Sequence, residues 1–148
     1  MRRVGLVLAA ALGLGGLAFA QDRDFGLAHV GSEASFIDLK SVKTRNGVAA
    51  FDALVVAKTG QPQVGGFRKM SIDCEQNEFR TLSVFKVEED GRLGPEEPLT
   101  GQIFPVNAGT PENVMAAVVC DKVDLPVRAP SIVEATKIGR ARLAAPKP

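Results

Sequence analysis

Residues 67–74, FRKMSIDC, decide the fold, because their side chains alternate between the two faces of a β-strand. Met70, Ile72 and Cys74 fall on one face, which we expect to be buried, and polar side chains fall on the other. The strand ends at one of the two cysteines of the chain, and the second, Cys120, ends an apolar run typical of a buried helix. The sequence therefore predicts a strand end and a helix end that a disulfide joins.

An export signal begins the chain. Arg2 and Arg3 precede an apolar run over residues 4–19, and Ala18-Phe19-Ala20 fits the small-x-small cleavage rule. The run is shorter than the ~20 residues of a membrane span, which disfavours the alternative of an uncleaved anchor. We predict a signal peptide over residues 1–20, cleaved after Ala20. No cysteine follows this site as a lipobox would require, so we expect a periplasmic or secreted protein with no integral membrane segment.

The mature composition is that of one ordinary domain without a strong charge. Cleavage leaves 128 residues, enough to build a real core. Without the two arginines of the leader, 16 basic and 17 acidic residues remain, which gives no reason to expect nucleic acid as a partner. The chain has neither Trp nor Tyr, which argues against a sugar-binding or single-strand-binding module.

Cys74 and Cys120 are predicted to form one intrachain disulfide, because an exported chain with two cysteines reaches an oxidising compartment. Closing a loop of this length contributes roughly 4 kcal/mol by chain entropy. A catalytic dithiol would need closer spacing, and structural zinc needs about four ligands. We therefore expect a structural bond, with no metal site and no cofactor.

The mature chain divides into an entry segment at residues 21–34, a domain at residues 35–122 and a basic, proline-containing tail at residues 123–148 that is helical in part. Its elements predict an α+β fold, an antiparallel β-sheet of about six strands with a C-terminal helix packed on it and tied by one disulfide. Asn46-Gly47 between two β-prone runs is the strongest hairpin signal.

Two later segments carry further strand signals. In the run after residue 78, Leu82 and Val84 are expected on one face of a strand, opposite Thr81, Ser83 and Phe85. The next segment, residues 93–105, contains three prolines and is therefore expected to hold one short edge strand, around residues 102–104.

Two helix starts are visible. Thr110 is a good N-cap, and Pro111 suits the first helical position, ahead of the apolar run that ends at Cys120. Ser131 and Glu134 have the spacing of a capping box for a second helix.

No catalytic motif emerges. His29 is the sole histidine and has no serine or cysteine motif beside it. Asp73, Glu75 and Glu78 cluster near Cys74 and could form a glycosidase-like pair of carboxylates, although acids on such a connection are usually solvated turn residues. The paired glycines at residues 65–66 are a weak phosphate-loop signal by themselves. We therefore expect a protein that is not an enzyme.

Several motifs resemble those of the surface-adhesin protein E-like domain. The similar segments are residues 70–74 (MSIDC), residues 79–84 (FRTLSV), the turn at Gly91, residues 104–112 (FPVNAGTPE) and residues 118–120 (VVC). The resemblance implies a sheet of about six strands with a helix tied on by the disulfide, and its founding members bind host matrix and plasma proteins. This chain departs from the family in having no lipid-attachment cysteine and no Trp or Tyr.

The function expected from the sequence is an exported, non-enzymatic, adhesin-like protein-binding module of the bacterial envelope. The alternative is a periplasmic structural or inhibitory factor that binds another envelope protein. A third hypothesis, a small hydrolase using Asp73, Glu75 and Glu78, is disfavoured. The partner is a host matrix protein or a bacterial envelope protein, and no binding residue is identified from the sequence.

Overall fold

The computed structural model describes residues 22–58 and 65–146. In these residues the chain forms eight strands and two helices. The elements are β1 (Phe25–Val30), β2 (Ala34–Arg45), β3 (Val48–Val56), β4 (Gly65–Asp73), β5 (Glu78–Val87), β6 (Leu93–Pro98), β7 (Ile103–Pro105), α1 (Pro111–Asp121), β8 (Arg128–Ala129) and α2 (Ile132–Ala144). The predicted signal peptide and its cleavage site lie outside the described residues, as do residues 59–64 and the last two residues of the tail.

All eight strands belong to one antiparallel sheet in the order β6-β5-β4-β3-β2-β1-β8, with β7 paired to β5. The strands from β1 to β5 are neighbours in the order in which they occur along the chain, so short hairpins can connect them. β8, which lies late in the chain, pairs with β1, the first strand, and these two strands form one side of the sheet.

Each face of the sheet is covered by one helix. On the α1 face, Ile37, Phe51 and Met70 pack with buried side chains of α1. On the α2 face, Phe36 and Leu54 pack with buried side chains of α2. Consecutive residues of one strand, such as Phe36 and Ile37, enter different cores, because side chains alternate along a strand.

The hairpin predicted at Asn46-Gly47 is confirmed, and the strand that follows it is covered on both faces. Asn46 and Gly47 connect β2 to β3 with φ of 51° and 77°, the left-handed backbone that a tight hairpin turn demands. In β3, Ala53 and Leu54 are both fully buried although they face opposite sides. Apolar residues therefore follow one another along β3, because both of its faces are covered.

The predicted strand and helix numbers are wrong in detail. The sheet has eight strands where about six were expected, and two helices pack on it where one was expected. The segment of residues 93–105 supplies two short strands, β6 and β7, which both lie on the outer side of β5. Prolines fit this position because an outer strand has no ladder bond to lose on its solvent side.

The alternation expected in β5 is confirmed where Val84 lies opposite Ser83 and Phe85, but it is wrong at the preceding residues. Lys69 pairs with Ser83 and Met70 with Thr81, which leaves Leu82 as an extra residue without a partner on β4. This β-bulge changes the side of the following residues. As a result Thr81 and Val84 lie on the same face, where strict alternation would separate them.

Both predicted helix starts and the disulfide are confirmed. The Thr110 Oγ1 accepts the N–H of Asn113 at 3.3 Å, and the Ser131 Oγ accepts the N–H of Glu134 at 3.2 Å. The sulfur atoms of Cys74 and Cys120 are bonded, which joins the residue after β4 to the last turn of α1.

A buried charge cluster that the sequence did not predict ties the entry segment to the sheet. The Arg23 guanidinium lies 3.0 Å from an Asp38 carboxylate oxygen and 3.2 Å from one of Asp52. It also lies over the Phe67 ring, 4.7 Å from the ring centroid. Asp38 is only 3% exposed and accepts the Asp24 N–H as well, so its charge is paired and hydrogen-bonded, as burial requires.

Within the described residues, no helix has the length and apolar character needed to cross a membrane.

Candidate functional site

The sheet edge at β5 is interrupted opposite the Leu82 bulge. β7 pairs with residues 78–80, whereas β6 pairs with residues 83–87. Between these two short strands, the Leu99 N–H donates to the Leu82 carbonyl at 2.9 Å, and the chain then turns away through Gly101 at a φ of 68°. The edge therefore consists of two short strands and a protruding loop, residues 99–102.

A groove opens on the α1 face beside this loop, and we call it the edge groove. It has a volume of about 570 Å³, and its lining includes Arg68, Thr81 and Val84 of the sheet and Leu99 and Phe104 beside the loop. The helix α1 lies against β1 and β2, so it does not cover this side of the face. The bulge brings Thr81 and Val84 together in the lining.

The outer wall of the edge groove is apolar and exposed. Leu99 is 48% exposed and Phe104 42%, both among the exposed large apolar side chains of the described residues. The Phe104 ring stacks on Phe79 at 5.5 Å, and Phe79 itself packs against the core beneath α1. The aromatic wall is thus fixed by the core although it faces solvent.

The edge groove contains one charged side chain in its described lining, that of Arg68. Among the described residues no Asp or Glu forms an ion pair with Arg68. The remaining segments, residues 1–21, 59–64 and 147–148, contain no acidic side chain. Glu97 lies on the same face, opposite Val84 in the register, and is exposed without an ion pair to Arg68. The groove therefore presents a cation beside an apolar wall.

A second concavity of about 300 Å³ lies on the α2 face at the far end of β4 and β5. Its lining includes Asp73, Glu78 and Arg80. Asp73 and Glu78 are direct partners across the two strands, so the structure brings these two predicted acids together. Glu75 does not line this concavity, and its carboxylate lies near the Gly47 turn.

The Asp73 carboxylate accepts hydrogen bonds from the backbone of the turn between β4 and β5. Its Oδ1 accepts the backbone N–H groups of Glu75 and Gln76, both at 3.0 Å. This is the hydrogen bonding of an Asx turn, in which an aspartate replaces a backbone acceptor. Arg80 adds a cation beside the acids, so the concavity has mixed charge where the edge groove has a single positive charge.

His29 lies elsewhere, on β1, at a break in the register with β2 and beside Gly31. It is therefore far from the acids in the strand order. The described residues contain no group of three or more His, Cys, Asp and Glu side chains placed to hold a metal ion.

The middle of the α2 face carries a further polar cluster. The Glu96 carboxylate accepts the Ser83 hydroxyl at 2.7 Å and the Lys69 ammonium at 3.1 Å. These donors, the hydroxyl first, lower the pKa of Glu96 below its ordinary value. The cluster joins β6 to β5 and β4, and this pairing keeps Glu96 away from the edge groove on the opposite face.

The sequence did not identify the residues of the edge groove. Arg68 and Val84 occupy ordinary alternating positions, and only their pairing across β4 and β5 places them together. Pro98 and Gly101 could have indicated the interruption of the edge, since a proline followed by a glycine with a left-handed backbone ends an edge strand.

Comparison with known proteins gives no match to any family model, curated protein or solved structure.

Proposed function

We propose that this chain is an exported, non-enzymatic protein-binding module of the bacterial envelope, and that it contacts its partner through the edge groove. The observation that carries the proposal is the exposed apolar wall of Leu99 and Phe104 at the edge of the sheet, where Phe104 stacks on Phe79. Exposed apolar side chains next to a concavity are typical of contact sites for other proteins. The disulfide is compatible with export, because such bonds persist in oxidising compartments.

The lining of the two concavities favours contact with a protein over hydrolysis. A hydrolase would use the acids of the α2 face, yet Asp73 already holds the β4–β5 turn and Glu75 lies outside the concavity. The edge groove holds no acid in its described lining, and its larger volume and apolar wall favour contact with a protein segment.

The contact surface is tested by capture with matched variants. Protein purified after export is immobilised and exposed to envelope extract and, separately, to serum and extracellular-matrix proteins. We expect a partner that binds the wild type to be lost from Leu99→Asp, because the new charge lies in the apolar wall. Val133→Asp is the control, since Val133 is 46% exposed but lies on α2, away from the groove. Equal retention by both variants would contradict the proposed surface.

The adhesin-like role is tested by location. Intact cells are treated with protease, and the exported protein is then detected in cells and medium. An adhesin must reach the surface, so we expect it to be cleaved. A protein that survives the protease and is released by osmotic shock would instead support the periplasmic structural or inhibitory factor.

A further inference from the structure

We propose that the edge groove binds an extended segment of the partner protein that carries an internal Asp or Glu four residues away from an apolar side chain. In this arrangement Arg68 pairs with the carboxylate, Phe104 contacts the apolar side chain, and Leu99, hydrogen-bonded to Leu82 at a level between the two, contacts the ligand between them. The inference rests on the proposed function and specifies the chemistry of the partner.

The charge of the groove selects an acidic ligand. Arg68 is the one charged side chain of the described lining, and within the described residues no Asp or Glu pairs with it. The other polar side chains of the lining, such as Thr81, Thr100 and Gln102, are uncharged. A guanidinium in such surroundings matches a carboxylate in both charge and geometry.

The register of the sheet sets the spacing. Phe104 pairs with Phe79, which pairs with Ile72, and Ile72 lies four residues after Arg68 along β4. At about 3.3 Å per residue, the backbone positions of Arg68 and Phe104 are roughly 13 Å apart along the strands. An extended ligand covers that length in about four residues, and residues i and i+4 lie on the same side of an extended chain.

An internal acid is favoured over a chain terminus. The register separates Arg68 from Phe104 along the groove, so the carboxylate and the apolar side chain can bind at different positions, and the edge between β6 and β7 is interrupted. Strand addition is disfavoured, because β6 contains Pro95 and Pro98 and β7 ends at Pro105. Side chains of the ligand, more than its backbone, therefore determine recognition.

The test uses synthetic peptides, acetylated and amidated, in which one Phe and one Glu are separated by two, three, four or six positions in a Ser/Thr background. Binding to the isotope-labelled protein is followed by backbone NMR shifts. We expect the four-residue spacing to bind most tightly and the three-residue spacing weakly, because an odd spacing turns the two side chains to opposite sides. The shifts should lie at residues 68, 81, 84 and 99–104.

Variants of charged residues distinguish the loss of the positive charge in the groove from a general effect on the fold. Arg68→Gln should weaken the four-residue peptide about tenfold or more, as loss of a charge-assisted hydrogen bond predicts. Arg80→Gln is the matched control, since it removes the same charge from the opposite face of the neighbouring strand. Glu97→Gln should leave binding unchanged or strengthen it. Equal effects of the two arginine variants would overturn the proposal.

Three further outcomes would overturn it. One is tighter binding of a peptide whose only carboxylate is its free C-terminus, which would assign the groove to chain ends. Another is concentration-dependent dimerisation that Leu99→Asp abolishes, which would assign it to a second copy. The third is a captured partner that depends on Leu99 but not on Arg68, in which case the proposed function survives. If neither residue matters for capture, both proposals fail.

Discussion

The helices α1 and α2 cover opposite faces of one sheet, but they are held there by different means. α1 is bonded covalently to the end of β4 through Cys74 and Cys120. α2 has no such bond and depends on close packing, with Ala135 and Gly139 buried against β2 and β3. The covalently held helix is on the face that leaves a groove open. The disulfide thus holds α1 on the face where the helix leaves part of the sheet uncovered.

Removal of the disulfide should have the largest effect. Cys74→Ser, Cys120→Ser and the double variant should each lose about 4 kcal/mol of unfolding free energy, because the bond limits the entropy of the unfolded chain. Chemical denaturation of the three variants measures this loss. Wild-type protein unfolded under reducing conditions is the control and should match them. A double variant clearly less stable than either single variant would contradict a role through the bond alone.

The packing of α2 should give the next largest effect. A Cβ at Gly139 would lie 3.1 Å from the Cβ of Val56 and 3.2 Å from that of Ala34. Gly139→Val should therefore cost about 1–3 kcal/mol by overpacking. Valine has a higher helix propensity than glycine, so a loss cannot come from propensity.

The control for this prediction is Ala141→Val on the exposed side of the same helix, which should cost a few tenths of a kcal/mol. Thermal or chemical unfolding compares the two. If Gly139→Val were as stable as the wild type, α2 would not pack as closely on the sheet as the structure has it.

The same two helices show what the sequence could predict. Local signals sufficed for both helix starts, because Thr110 and Ser131 act on N–H groups three residues away. The hairpin at Asn46-Gly47 was predictable for the same reason. The disulfide was predicted from two cysteines in a chain that begins with an expected export signal.

Long-range features could not be predicted in this way. The bulge at Leu82 depends on how β5 pairs with β4, and the single residue that it inserts moves Thr81 to the face of Val84. The ion pairs of Arg23 join three separate segments of the chain. The edge groove depends on both the bulge and the division of the edge between β6 and β7. Both arise from pairing between strands, so no local sequence pattern could predict the groove.

Loss of either N-cap should cost about 1 kcal/mol and should act locally. Thr110→Ala leaves the Asn113 N–H without its side-chain acceptor, and Ser131→Ala does the same to Glu134. Hydrogen exchange should become faster in α1 for the first variant and in α2 for the second. Thr110→Ser is the control and should retain the slow exchange. Faster exchange spreading equally over both helices would argue against their independent attachment.

The smallest expected effect concerns the ion pair at the strand that leads from α1 to α2. Arg128, at the start of β8, donates to the Asp24 carboxylate, and this hydrogen bond lowers the pKa of Asp24 below its ordinary value. A carboxyl group with a lowered pKa in the folded state stabilises the fold above its unfolded pKa, and the contribution is lost as pH falls through the folded pKa. The pair is partly exposed, so its contribution is below about 1 kcal/mol and is screened by salt.

Asp24→Asn should therefore lower the free energy of unfolding at neutral pH. The difference from the wild type should shrink as the pH falls below the ordinary aspartate pKa of 3.8. Denaturation at several pH values and two salt concentrations measures this difference. Asp124→Asn is the control, because Asp124 is largely exposed and contacts the same arginine at 3.3 Å, so its removal should change the stability less. A difference for Asp24→Asn that stayed constant down to pH 2 would show that the loss does not arise from the charge of Asp24, and the connection between the two helices would then depend on the backbone pairing of β8 with β1 alone.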